Sequence, residues 1–318
     1  MQPRCLVSLA LAALLLVLAW EGCAPGKGAT SSNPPPTLPP ALPSYTGSVD
    51  EVIGPEGPVS SAFDDAEFRQ LRPPDAIQPV YDPKFLGAHE SDLPDDELVI
   101  GLNINGDARA YPAGLLYHRE MVNDTVGGVP VLVTWCPLCY TALVHDRRVD
   151  GNPIRFGNQG ALYIGAMTWF DHATGSVWSQ PFGEAIAGPL VGRTLELMPS
   201  QLTTWSQWLD ANPESRVLVS DIPSIPYSGR RLGEDHVAGV VVGDQAVAWP
   251  YLSVLNAGSV TAEIGGTDLV VTVDPETGAL RAVTVDAARK ELPVIVAYRW
   301  AWESLYPNGQ VDKGDPIQ

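Results

Sequence analysis

The passage that most constrains this chain is one that recurs within it. Ile100-Gly101-Leu102-Asn103-Ile104-Asn105-Gly106-Asp107-Ala108-Arg109-Ala110-Tyr111-Pro112 has a counterpart in Ala238-Gly239-Val240-Val241-Val242-Gly243-Asp244-Gln245-Ala246-Val247-Ala248-Trp249-Pro250, with one residue skipped before the turn. Downstream, Gly127-Gly128 and Val131-Leu132-Val133-Thr134 match Gly265-Gly266 and Leu269-Val270-Val271-Thr272. Each copy is later followed by a Trp-bearing helical stretch ending at proline, Trp208 to Pro213 and Trp302 to Pro307. In each unit an alternating strand enters a Gly-Asp or Asn-Gly turn and returns. Pro112 or Pro250 then opens a helix, where a missing N–H costs nothing. The Gly pair is expected to stop that helix, and a buried strand follows. Asn123-Asp124-Thr125, just before the first Gly pair, reads as part of the same stop. These patterns predict an α+β, β-rich fold of two degenerate tandem repeats of strand-hairpin-helix-strand, packed as one globular unit. The boundaries expected are 76–225 for the first repeat and 226–318 for the second.

The differences between the copies point to chemistry. His118 aligns with Asn256, and Cys136-Pro137-Leu138-Cys139 aligns with Asp274-Pro275-Glu276-Thr277. A pattern retained as scaffold in both copies, with Cys and His in only one, is what a functional site produces; neutral drift produces such differences too.

The N-terminus carries an export signal. Arg4 precedes an apolar run from Leu6 to Trp20, too short for a comfortable bilayer span and fitting a secretory core. It runs into Gly22-Cys23, which predicts a lipoprotein-type signal peptide over 1–23 with Cys23 as the lipidated residue. Trp20 and Glu21 depart from that motif, and cleavage after Ala24 is the rival. Residues 24–75 follow as a Pro/Ser/Gly-rich tether, with Pro34-Pro35-Pro36 and Pro39-Pro40 precluding a packed core. The expected location is the periplasmic or cell-surface side, held to the membrane through the N-terminal lipid. The net charge of −18 argues against nucleic acid as a partner. Protein or small-molecule partners are not specified by any motif.

With Cys5 and Cys23 in the leader, the folded region holds only Cys136 and Cys139, so a disulfide framework is excluded. The pair lies between a buried strand over 131–135 and a second strand over 140–145. Its spacing suits a disulfide or one metal ion. Three readings stand: a soft-metal site, a redox pair, and a structural staple. His118, on a helix over 115–121, is the preferred third group. Two thiolates and an imidazole favour copper, with zinc less suited because a second ligand pair is lacking. In the redox reading, Cys136 and Cys139 exchange with disulfides and His118 stabilises the thiolate. His145 lies on an extending strand, roughly 20 Å from Cys139 if straight. His172 is expected to serve its turn, and His89 and His236 fall in loop-like stretches. Trp178 and Gln180 are expected first as core, with a site-lining role second.

The chain resembles an exported bacterial and archaeal family, the domain of unknown function 3179, from about Ile77 onward. The resemblance rests on Ile104-Asn105-Gly106, Ala108-Arg109-Ala110-Tyr111-Pro112, His118 with Val122-Asn123-Asp124-Thr125-Val126-Gly127-Gly128, and Pro130-Val131 with Cys136-Pro137-Leu138-Cys139. It continues through Asp146-Arg147, Phe156-Gly157, Trp178-Ser179-Gln180 and Gly183-Glu184-Ala185. It implies that His118, Cys136 and Cys139 belong to a recurring motif and carries no mechanism. Tyr140 stands where the family has Gly or another small residue, so its ring is expected to crowd the loop.

Overall fold

A computed structural model describes residues 58–220 and 232–312. The expected signal peptide, Cys23 and the proline-rich part of the expected tether therefore lie outside the described residues. The described residues are β-rich with four short α-helices, their small sheets set in a propeller-like arrangement. No described helix is long and apolar enough to cross a membrane.

The first hairpin, Leu98–Ile104 with Asp107–Pro112, turns through Asn105 and Gly106, both at positive φ. Pro112 begins helix Ala113–Arg119, which ends where Glu120 enters the left-handed region at φ 55°. A second hairpin follows, Met121–Val126 with Val129–Cys136, continued by Thr141–Asp146. The later segment has the same order: His236–Val242 with Gln245–Pro250, helix Tyr251–Ala257, Ser259–Ile264 with Thr267–Val273, then Leu280–Thr284. A strand-helix-strand returns to each first hairpin. Gln201–Thr204 pairs antiparallel with Leu98–Ile104, and after helix Trp205–Ala211, strand Arg216–Val219 pairs parallel with Asp107–Pro112. Ile295–Tyr298, helix Arg299–Leu305 and Gln310–Val311 do the same in the later segment.

The expectation of two like repeats is met only in part. A five-stranded sheet of Phe68–Gln70, Phe156–Tyr163, Ala166–Asp171, Val177–Ser179 and Glu184–Ala187 has no counterpart within 232–312. Its first strand lies in the span assigned to the tether. Phe63 and Phe68 pack with Tyr163, so residues 58–75 are folded against the body rather than forming a spacer. The two segments also share a core boundary, since the Tyr298 N–H donates to the Cys139 carbonyl (3.0 Å) and the Thr203 hydroxyl donates to the Thr277 carbonyl.

The reading of Asn123-Asp124-Thr125 and the Gly pair as a helix stop is corrected. The helix has already ended at Glu120; residues 121–126 form a strand, and Gly127-Gly128 is its hairpin turn, at φ 53° and 86°. Asn123 and Asp124 are tolerated there because each finds a buried partner, and Thr125 faces solvent. Asn123 pairs through its amide with both the N–H and C=O of Phe156 (2.8 and 2.9 Å), as a strand would. Asp124 accepts two hydrogen bonds from Arg109 Nη1 (2.7 Å each) and one from the Tyr111 hydroxyl (2.7 Å). Arg109 also reaches Asp107 (2.8 Å) and lies over the Phe85 ring. Removing Asp124 leaves Arg109 Nη1 and the buried Tyr111 hydroxyl without the acceptor they share. Asp124→Ala is expected to lower unfolding stability by about 3–5 kcal/mol in denaturant titration, whereas an exposed change such as Asp82→Ala stays within about 0.5 kcal/mol.

Candidate functional site

Strand Val129–Cys136 delivers Cys136 at its last position, directly opposite Thr141 in the hairpin ladder. Residues 137–140 close the connection, and Tyr140 completes it at φ 59°. The Tyr140 ring does not crowd the sulfurs. It is buried on the far side, against Trp135 (4.9 Å), His236 (4.4 Å) and Tyr298 (5.2 Å). That packing fixes the end of the loop and leaves Leu138 exposed at its tip.

Both thiols are free and buried, yet their environments differ. Burial pushes the Cys136 thiol up, but hydrogen bonding from the Cys139 side chain and from the Cys139 and Met167 backbones pulls it down. The donors prevail, holding Cys136 below the ordinary thiol value; the negative field of Glu120 opposes them. Cys139 is pushed well above that value, first by burial and then by its bond to Cys136. Its sulfur is 3.1 Å from the Thr141 hydroxyl, which itself donates to Gln180 Oε1 (2.7 Å). Gln180 is locked in turn by donating to Thr134 Oγ1 (3.2 Å) and the Thr141 carbonyl (3.3 Å). Ionisation is thus biased to Cys136.

Cys136 forms part of the wall of a cavity of about 540 Å³, with Pro137, Leu138, Tyr117, Glu120 and Met167 among its lining. Glu120 is placed there by the left-handed residue that ends its helix, and its carbonyl accepts the Trp135 N–H (2.8 Å), tying helix end to Cys strand. Burial raises the Glu120 carboxyl above the usual carboxylate value, against a 2.7 Å hydrogen bond from the Asn158 amide and the field of Arg72. A buried carboxyl poised in this way beside a dithiol can take and return a proton.

The sequence-predicted trio is not assembled. Among the described residues, no three His, Cys, Asp or Glu side chains are grouped to hold a metal ion, which corrects the expectation of a copper or zinc site at His118, Cys136 and Cys139. The reason is helical rotation. Tyr117 and Glu120, three residues apart, share the face that meets the Cys loop. His118 lies between them in sequence, half-buried, its ring edge-on to Tyr117 and its Nε2 without a hydrogen-bond partner. It is absent from the groups acting on either sulfur.

The other histidines divide similarly. His145 is buried against Trp169 with neither ring nitrogen hydrogen-bonded. His172, expected to serve its turn, instead meets the Tyr81 hydroxyl (3.0 Å) and stacks on Phe170, while Asp171 holds the turn. His89 lies exposed on a short 3-10 turn. His236, read as a loop residue, begins strand His236–Val242, accepts the Gly233 N–H at Nδ1 (3.0 Å) and supports Tyr140. Sequence reasoning missed Glu120, Asn158, Met167 and Thr141. Only Glu120 had a signal available, its place on the helix already singled out for His118.

These features define a β-rich protein carrying a buried, electrostatically asymmetric Cys-x-x-Cys dithiol in the wall of a cavity. Residues 74–225 match the family described as Protein of unknown function (DUF3179). No curated protein and no solved structure matches the chain.

Iodoacetamide labelling followed by peptide mapping is expected to modify Cys136 with a rate midpoint below the ordinary thiol value. Cys139 should stay unlabelled until the protein is unfolded; equal labelling of both would contradict the asymmetry. His145 supplies a separate, pH-dependent test. Burial lowers its pKa to about 3, whereas the unfolded chain titrates near about 6.5. The unfolded state therefore binds the proton first as pH falls. Stability from this group is full above about pH 6.5 and lost by about 1.4 kcal/mol per pH unit below it. Melting curves between pH 7 and 4 should show this loss, and His145→Leu should flatten it.

Proposed function

We propose that this chain is a thiol–disulfide redox protein in which Cys136 attacks and Cys139 resolves. The observation that carries the reading is an unbridged, buried Cys-x-x-Cys pair with Cys136 in the wall of a cavity, its two thiols pushed in opposite directions, Cys136 below and Cys139 above the ordinary value. In the reducing direction, the Cys136 thiolate attacks one sulfur of a disulfide. That S–S bond breaks, and one half leaves as thiolate. Cys139 then gives its proton to Glu120 and attacks the Cys136 sulfur, so the second half leaves as thiolate and Cys136–Cys139 becomes a disulfide. The departing thiolates take up protons, one of them from Glu120. The substrate disulfide is reduced and the protein dithiol oxidised; an external dithiol restores it.

A purely structural staple is less well supported. A bridge closing so short a loop stabilises by roughly 2 kcal/mol or less on the entropy model, and it explains neither the cavity nor the raised Glu120. The reading is completed by export: a lipoprotein-type signal over 1–23, anchorage through Cys23 and a tether would set the dithiol in an envelope compartment, where disulfides persist. The recurring strand-helix-strand pairings support descent of 76–225 and 226–318 from one duplicated unit.

The test uses an aromatic disulfide such as Ellman's reagent. Cys139→Ser should stall as a stable mixed disulfide at Cys136, visible by intact mass, whereas the unsubstituted protein releases both thiolates and ends with an internal bridge. Cys136→Ser should do neither. Glu120→Gln should slow the second release by about tenfold or more and leave the first intact. A reduction potential below about −300 mV, with no mixed disulfide trapped in Cys139→Ser, would overturn the proposal.

A further inference from the structure

Two cavities adjoin on the outer face of the strand pair Phe68–Gln70 and Phe156–Tyr163. Phe68 and Tyr163, directly opposite one another, turn inward to an apolar cluster. Side chains alternate along a strand, so Arg69 and Leu162, the next pair, turn outward, with Glu67 and Leu71 on the same face. Leu162 stands in the wall of both cavities. On one side of it lies the cavity of about 540 Å³ that holds Cys136, Tyr117 and Leu138 in its wall. On the other lies one of about 270 Å³, bounded by Ile164, Gly165 and Trp300.

Apolar side chains left in solvent are concentrated along this groove. Among the described residues seven large hydrophobics are exposed, and four of them, Leu71, Tyr117, Leu138 and Trp300, border these two cavities. Scattered single residues of that kind need no explanation, but a contiguous set marks a contact surface. Leu138 is held out rather than left loose, since the packing of Tyr140 anchors the end of its loop. The charge of the groove is balanced. Arg69, Arg72, Glu67 and Glu120 are the charged groups among its described lining residues, two of each sign. On a chain of net charge −18, an anion finds no surplus cation here to hold it, whereas a neutral occupant is not penalised. Shape separates a peptide from a compact molecule. Two hollows in line on a strand pair, with a leucine between them, match the same-side side chains of an extended chain, which recur about every 7 Å. A compact molecule fills one hollow and leaves the other in water.

The geometry points to this groove as the binding site for a polypeptide substrate of the dithiol: an extended, uncharged segment with its disulfide at Cys136 and a flanking leucine or phenylalanine laid across Leu162 against Trp300. The inference rests on the thiol–disulfide reading for its chemistry and adds the substrate class to it. Cys136, the one thiol among the described lining residues, is what calls for a disulfide in the occupant.

Two end-capped, uncharged pentapeptides test it, each with one cysteine and joined to its own copy by a disulfide. One carries leucine and phenylalanine around the cysteine, the other serine and asparagine; glutathione disulfide is the anionic comparison. The reduced full chain should be oxidised by the apolar peptide at least about tenfold faster than by either of the others. Trp300→Ser and Leu71→Ser, at exposed positions the fold does not need, should each lower that ratio by about threefold or more. Val285→Ser, exposed in the later segment and outside the groove, should not change it. Equal rates for the three disulfides, or a ratio unmoved by both groove variants, overturns the substrate assignment; a mixed disulfide still trapped in Cys139→Ser would then leave the redox reading standing. The converse case is separated by the apolar peptide with alanine in place of cysteine. If it shifts the Leu71, Leu162 and Trp300 amide signals while no disulfide is reduced, the groove holds and the chemistry falls. A concentration-dependent dimer that dissociates in Trp300→Ser would assign the face to a second copy of the chain and overturn the inference.

Discussion

In both halves an indole lies flat on a glycine of the first hairpin, and much of the architecture follows from that contact. A Cβ at Gly101 would sit 2.2 Å from the Trp208 ring, and one at Gly239 would sit 2.1 Å from the Trp302 ring. No larger residue fits, because backbone and ring have no room to part. The contact docks a short helix across the hairpin and lets the flanking strands pair on either side, one antiparallel and one parallel. With each hairpin clamped, the following three-stranded sheet is held by the helix that opens at Pro112 or Pro250. The turn at its far end, Cys136–Cys139 or Asp274–Thr277, then meets the returning strand of the other half.

That exchange of contacts places chemistry at the ends of strands supported from both segments. On the Cys side, Tyr140 is gripped by Trp135 from its own sheet and by His236 and Tyr298 from the later segment. The loop is thereby rigid while its tip faces a cavity. The dithiol owes its asymmetry to burial of both sulfurs, to hydrogen bonding between Cys136 and Cys139 and to the Met167 backbone from a remote strand, against the field of Glu120. The later segment repeats the frame without the sulfurs; the Gly101–Trp208 contact borders a polar cavity, whereas Trp302 is sealed in hydrocarbon.

Several elements are legible from the residues alone because their signals are local. The Asn-Gly and Gly-Asp turns, the Gly pairs and the prolines at helix starts each fix a few dihedral angles within a few residues. Elements decided by distant partners are not legible in this way. Asn123-Asp124-Thr125 has turn chemistry, yet runs as a strand because Phe156, Arg109 and Tyr111 satisfy it. Phe68–Gln70 falls in a span whose composition reads as tether, and only its pairing with Phe156–Tyr163 makes it a strand. His118 is one helix position away from usefulness: Tyr117 and Glu120 face the Cys loop instead. Periodicity alone does not say which side of a seven-residue helix will be covered.

The amino-acid sequence by itself determined the two hairpin-helix frames, the Cys-Pro-Leu-Cys turn and its restriction to one of them. All of these depend on the steric freedom of single residues or on covalent spacing. Tertiary structure alone decided which groups surround the sulfurs, which histidines are scaffold, and where space is left open. Those outcomes depend on burial and on donors brought from remote strands, and the energy of a buried polar atom is set by neighbours its own segment does not contain.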